Sequence, residues 1–300
     1  MKINSRIIAA VLCSVCLIWI GACSSPKPQE EQGEEFEEAV DQLEDQLVGM
    51  LDNIPPPSEI PYIIQSTGAD FDMSLLNDIN KVDRYQTDND KAAMNLGVYA
   101  TDIGYLSSYD QSQEALNYFN GSKSMGDQIG VSSAIDDERV QQIEASLCSK
   151  EELGVFLDAA IDYTQGFLEE SGRERTDIFV ASGTFSEGLH IISSLVEQFP
   201  KTDGSAVDLD ACLAALAIPL VRLILEQEEP AAELNELLQS VSGDPTTDKL
   251  VSLTSELVAE YESLNIQETF EQNQAITFLQ KGTMDSLVDK IKNLRAYITG

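Results

Sequence analysis

Residues 90–120 read DKAAMNLGVYATDIGYLSSYDQSQEALNYFN. On a helical wheel at about 100° per residue, this stretch separates into two opposed stripes. One carries Asn95, Tyr99, Asp102, Leu106, Tyr109, Gln113 and Asn117. The other carries Ala93, Gly97, Gly104, Ser108 and Ala115, side chains too small to fill space. A glycine inside a helix costs about 1 kcal/mol relative to alanine, so two on one line point to another backbone packed close against them. The spacing predicts one central helix over 90–120. Its polar stripe must find hydrogen-bond partners, either within the protein or in a ligand.

Outward from this stretch, apolar positions recur at helical spacing from Phe36 almost to the C-terminus, and strand signals are nearly absent. The fold expected is all-α, a multi-helix bundle forming a single domain over 34–300, with two packed sub-bundles as the alternative. Besides 90–120, helices are expected at 34–51, 74–85, 122–129, 136–146, 150–170, 176–199, 208–227, 231–240, 247–264 and 268–298. Ile54-Pro55-Pro56-Pro57 stops the first, and the segment through Pro61-Tyr62-Ile63-Ile64 reads as an extended connector. Pro230 suits the first position of a helix, and Gly243-Asp244-Pro245 breaks the chain before the next one. Lys290, Lys292 and Arg295 fall near the end of the last helix, where cations complement its dipole. The run ACLAALAIPLVRLIL at 211–225 is too short to cross a bilayer and contains Arg222 and Pro219. It reads as a buried core helix.

Ahead of the domain, MKINSRIIAAVLCSVCLIWIGAC places Lys2 and Arg6 before an apolar stretch, 7–20, that is shorter than the roughly 20 residues of a membrane span. This is the pattern of a secretory signal. Its end, Ile20-Gly21-Ala22-Cys23, resembles the lipobox of bacterial lipoproteins. That resemblance implies cleavage before Cys23, a diacylglycerol on its sulfur and an anchor in the lipid bilayer. Ordinary signal cleavage with Cys23 as a bystander is the alternative. Several acyl chains make such an anchor stable, where a single chain holds only reversibly. Residues 24–33, SSPKPQEEQG, hold no apolar side chain and should form a flexible tether reaching at most about 35 Å. The chain thus divides into a signal peptide (1–22), an acylated Cys23 with its tether (23–33) and a helical domain (34–300). The location implied is the cell envelope of a Gram-negative bacterium, at the outer membrane, with its periplasmic and surface faces both open.

The chain holds 18 Lys+Arg against 52 Asp+Glu, a formal net charge of −34, with 43% hydrophobic residues. It is too apolar for a disordered acidic tail. Nucleic acid is excluded as a partner, because phosphate binding needs clustered cations. One histidine removes every multi-histidine metal site. The only tryptophan, Trp19, and the pair Cys13-x-x-Cys16 both lie in the signal segment. With Cys23 acylated, Cys148 and Cys212 remain; in an oxidising compartment they form either a disulfide or two separately buried thiols. Asp88-Asn89-Asp90 opens like a calcium loop but lacks the later acid and glycine. Neither a metal nor a cofactor is indicated.

The candidate ligand-binding set is Asn95, Tyr99, Asp102, Tyr109 and Gln113. Asp102 would fix the ligand between walls formed by Tyr99 and Tyr109. A buried polar network is the alternative. A second segment, Ser182-Gly183-Thr184-Phe185-Ser186-Glu187-Gly188-Leu189-His190, contains a serine and the histidine at i,i+4. Its pattern misses the nucleophile elbow Gly-x-Ser-x-Gly by one residue and has no strand before it. Gly183 and Gly188 read instead as close-packing positions, and no catalytic residue is assigned.

The stretch Leu96-Gly97-Val98-Tyr99-Ala100-Thr101-Asp102 and the later Glu187-Gly188-Leu189 are similar to segments of a group of all-helical Bacteroidota-type lipoproteins that carry Gly-Val-Tyr-x-x-Asp and Glu-Gly-Leu. The resemblance implies architecture and envelope location and supplies no catalytic residue. The function expected is therefore a membrane-anchored, non-enzymatic binding module for a small ligand or an envelope protein. A scaffold without a small-molecule site, or a hydrolase, are the alternatives.

Overall fold

The computed structural model describes residues 60–131, 173–199, 211–266, 277–278 and 282–300. The expected signal segment and tether, Cys23, Cys148 and the helices expected at 34–51, 136–146 and 150–170 lie outside the described residues, as does the side chain of Cys212. Among the described residues every regular element is helical. The all-α expectation is met.

The chain enters through α1 (Ile60–Ser66), then two 3-10 turns, Met73–Leu75 and Ile79–Lys81, and the short α2 (Val82–Tyr85). The long α3 (Asn89–Ser108) and α4 (Ser112–Ile129) follow. After them come α5 (Glu174–Gln198), α6 (Ala211–Leu225), α7 (Glu228–Ser240), α8 (Pro245–Ser263) and α9 (Asp285–Thr299). Helix α3 is central: it packs on α1, α2, α4, α5 and α9. Helix α5 lies beside it and also meets α6, α7 and α9, while α7 and α8 pair with each other.

The single helix expected over 90–120 is in fact two. Asp110 adopts a left-handed backbone with φ 59°. The Asp110 N–H donates to the Ser107 carbonyl at 3.1 Å and the Gln111 N–H to the Leu106 carbonyl at 2.8 Å, the Schellman closure of a helix end. Aspartate tolerates this conformation better than most residues, so Tyr109-Asp110-Gln111 folds the chain back and α4 packs along α3. The separate helix expected at 122–129 is the continuation of α4. That helix ends on Gly130 at φ 74°, with the Val131 N–H closing onto the Gly126 carbonyl at 2.9 Å.

Two further expectations change near the chain's entry. Residues 60–66, read as an extended connector, form α1, in which Pro61 sits in the first turn where its missing N–H costs nothing. The helix expected at 74–85 is broken into turns, because the Asp72 and Asp78 side chains cap the main-chain N–H groups of Ser74 and Asn80. Helices α5 to α8 fall close to expectation, with Pro230 the third residue of α7 rather than the first. Of the helix expected at 268–298, the described residues are α-helical only from Asp285, after a 3-10 pair at 277–278 and a turn in which Gly282 takes a left-handed φ of 92°. Pro245 opens α8 behind Asp244, whose carboxylate accepts from the Thr246 and Thr247 N–H groups. In α6, Ala217, Ile218, Leu220, Val221, Leu223, Ile224 and Leu225 are buried, as a core helix requires. Among the described residues no helix is long and apolar enough to cross a membrane.

The close backbone approach predicted from the glycines is made by Gly97 and Gly183, between α3 and α5, whereas Gly104 and Gly188 face the Pro61 and Ile60 side chains of α1. A Cβ on Gly97 would lie 2.7 Å from the Thr184 nitrogen, and one on Gly183 would fall 2.8 Å from the Met94 carbonyl carbon. The Thr101 hydroxyl reaches the Thr184 carbonyl at 3.3 Å. Contacts advance together along both helices, from Met94 with Gly183 to Asp102 with Glu187, so α3 and α5 run in the same sense. At their N-terminal ends the Arg175 guanidinium ties α5 to Asp90 of α3 (Nη2 to Oδ2, 2.7 Å) and to Asp244 before α8 (3.2 Å), stacked 4.2 Å over the Phe179 ring.

Candidate functional site

The parallel run of α3 and α5 brings two acidic side chains together inside the bundle. Asp102 and Glu187 are both 0% exposed, and the Glu187 carboxyl is close enough to raise the pKa of Asp102. Helix α9 supplies the counter-charge. Arg295 grips Glu187 with two parallel bonds, Nε to Oε2 and Nη2 to Oε1, each 2.8 Å. This fork geometry is the strongest form of a carboxylate pair. Arg295 Nη2 also donates to the Leu75 carbonyl at 3.2 Å. The Asn77 N–H donates to Asp102 Oδ2 at 3.2 Å, so the cluster joins α3, α5, α9 and the segment between the two 3-10 turns.

Asp102 Oδ1 is sealed from solvent and meets no donor. A protonated carboxyl supplies the donor that an oxygen in that position lacks. Burial first, and then the Glu187 charge beside it, push the Asp102 carboxyl well above the usual carboxylate range; the Arg295 charge and the Asn77 N–H work the other way without winning. With one proton on the acid pair, the cluster is electrically neutral.

The neighbouring polar groups are held with equal economy. The end of α9 docks on α2 and α3 through side chains that satisfy its last carbonyls. Asn95 Nδ2 donates to the Ile298 carbonyl at 2.9 Å, Tyr85 Oη to the Thr299 carbonyl at 2.9 Å, and Lys91 Nζ to the Gly300 carbonyl at 2.8 Å. Asn77 Nδ2 in turn donates to Tyr85 Oη at 3.3 Å. His190 lies near Arg295 and its main-chain neighbour Leu75; burial first, then the Arg295 charge, lowers its pKa to about 3, so its imidazole is neutral.

The candidate ligand set is therefore distributed as follows. Asn95, Tyr99 and Asp102 are all 0% exposed; Asn95 Nδ2 and Asp102 Oδ2 find partners within the chain while Asn95 Oδ1 and Asp102 Oδ1 have none, and the Tyr99 hydroxyl donates to the Asp78 carbonyl at 2.8 Å. The half-buried Tyr109 donates to the Ala69 carbonyl at 2.6 Å and packs against Phe71 and Tyr105. Gln113, on α4 beyond the turn, is exposed and no longer on the same stripe. Of the two readings of the polar stripe, the geometry corresponds to a buried network, with the turn at Asp110 removing Gln113 from it.

The serine–histidine pair does not form. The Ser186 hydroxyl is buried without a partner, whereas His190 Nδ1 lies 3.4 Å from the Ser194 hydroxyl. Asp88 caps α3 and Asp90 binds Arg175, so the calcium-like acids are spent on helix and ion-pair geometry. Among the described residues no group of His, Cys, Asp and Glu is placed to hold a metal.

Sequence reasoning missed Asn77, Tyr85, Glu187 and Arg295 as site residues. For Glu187 a signal existed. It lies four residues from Gly183 and from Ile191, both core positions of the same helix, so its acid had to point inward. Arg295 was expected to serve the helix dipole together with Lys290 and Lys292. All three instead reach sideways to carboxylates of neighbouring helices: Lys290 to Glu256 at 2.7 Å, Lys292 to Glu197 at 2.8 Å, and Arg295 to Glu187.

What the fold and the cluster define is an all-α bundle braced by a buried acid–acid–arginine triad. No family model, curated protein or solved structure matches this chain.

Proposed function

We propose that this chain is a lipid-anchored protein of a Gram-negative outer membrane. On this reading its helical domain is a non-enzymatic binding module whose partner is another envelope protein. Cys23 carries the anchor, and residues 24–33 hold the domain away from a bilayer whose anionic headgroups would repel so acidic a body. The observation that carries the choice of a protein over a small ligand is the fate of the polar stripe on α3. Asn95 Nδ2 and the Tyr99 and Tyr109 hydroxyls donate to carbonyls of the same chain, which favours the outer surface as the part used in recognition.

The test has two parts, both using the full chain in its bacterial envelope. Incorporation of labelled palmitate that is lost in Cys23→Ala supports the anchor; equal labelling of both overturns it. Crosslinking in intact envelopes should give a discrete adduct with one envelope protein, weakened when the anchor is lost. A saturable small-molecule stabilisation with no adduct would transfer the reading to a small-ligand module.

A further inference from the structure

Three elements distant in sequence meet at one proton. Asp102 Oδ1 is buried and unpartnered, Glu187 is gripped at both oxygens by Arg295, and the Asn77 N–H already occupies Asp102 Oδ2. No water-facing route is left for the charge of a second carboxylate, since both acids are 0% exposed and the Arg295 side chain is only 18% exposed. We propose that Asp102, Glu187 and Arg295 form a proton-holding latch: one proton shared by the two buried carboxyls keeps the cluster neutral and α9 docked, and loss of that proton loosens α9 from α3 and α5.

The groups facing the pair come from every packed element. Helix α5 presents Glu187 and, near Arg295, the neutral His190. Helix α9 presents Arg295, with Lys292 reaching His190; α2 presents Tyr85, α3 Tyr99 and α4 Tyr118, and Asp78 lies beyond Tyr99. Arg295 is the single cation of this group that bonds the acid pair. Once the proton leaves, two buried carboxylates share one guanidinium, and repulsion within the pair acts on the joint that α9 closes.

The direction of the pH dependence follows. The folded value for Asp102 lies above the unfolded one of about 3.9, so the stability held by the proton is whole below that value and is lost as pH rises towards the folded value. His190 acts oppositely, but only below its unfolded value of about 6.5, where the unfolded chain gains a proton that the folded one refuses. Above about pH 6.5 the His190 contribution is full and constant, and of these two only Asp102 still changes stability with pH.

The experiment is denaturant unfolding of the full chain from about pH 6.5 to 8.5, compared with Asp102→Asn, whose amide donates to Glu187 as the protonated acid does. The wild-type unfolding constant should rise with pH relative to the variant's, by about tenfold per pH unit wherever the folded acid keeps its proton and the unfolded one has lost it. Amide exchange in α9 should accelerate with pH in the wild type beyond the rise seen in the variant. Parallel stability profiles overturn the proposal. Should Asp102→Asn fail to fold, infrared spectra of Glu226→Gln, which removes another carboxyl displaced upward by burial, give an independent answer. A carbonyl band of an un-ionised carboxylic acid at neutral pH is the expected result, and its absence overturns the latch.

Discussion

Gly183 of α5 lies against the main chain of Met94 in α3, so closely that a methyl group on Gly183 would fall 2.8 Å from the Met94 carbonyl carbon. Gly97 makes the reciprocal approach to α5, where a Cβ would stand 2.7 Å from the Thr184 nitrogen. Because the obstructing atoms are backbone, no side-chain rotation relieves them. This contact sets the spacing of the two helices and hence whether Asp102 can reach Glu187.

Gly183→Ala and Gly97→Ala should each destabilise the fold by about 3 kcal/mol or more, the upper part of the range for overpacking. Gly188→Ala should cost no more than about 1 kcal/mol, because its nearest obstacle is the movable Ile60 Cδ1 at 3.3 Å. Midpoints of urea unfolding for the three variants provide the comparison. Equal losses at Gly188 and Gly183 would show that helix spacing is set elsewhere.

Removing the guanidinium leaves Glu187 buried and unpaired. Arg295→Met should therefore cost about 3–5 kcal/mol. The double replacement Arg295→Met with Glu187→Leu should recover much of that loss, since a buried ion pair contributes little over apolar packing. The check is a double-mutant cycle in denaturant; additive losses would mean the pair is not coupled.

The Ser186 hydroxyl is buried and has no partner. Ser186→Ala should be neutral or stabilising, by up to about 1 kcal/mol, because it removes a desolvated group that makes no hydrogen bond. A clear loss of stability on thermal unfolding would reveal a bond to this hydroxyl.

His190 should stay neutral well into acid. Its pKa is lowered to about 3 by burial and by Arg295, against about 6.5 in the unfolded chain. The stability it contributes is thus present above about pH 6.5 and is lost as pH falls from there towards 3. Proton NMR of the imidazole should show no titration near 6.5, and His190→Gln should flatten the acid limb of the stability profile. An ordinary titration midpoint would place the ring in water.

The polar residues show where local reading succeeds and where it stops. Asn95, Tyr99 and Asp102 were legible as one inward stripe because α3 is a regular helix and periodicity reports its faces. Tyr109 and Gln113 were assigned to the same face only by continuing that period through Tyr109-Asp110-Gln111. A left-handed aspartate is a weak local signal within apolar spacing that continues on both sides of it, and the choice is made by α4 packing back on α3.

What the sequence determined by itself was the helical class, the polar stripe of Asn95, Tyr99 and Asp102 on α3, Gly97 and Gly183 as close-packing positions, and the chain break before α8. These depend on residues a few positions apart, so spacing and side-chain chemistry suffice. Only the tertiary structure decided that Glu187 would meet Arg295 across 108 positions and share its site with Asp102. A charge on a helix states that it needs a partner without naming which, and the packing of α9 against α3 and α5 supplied the answer.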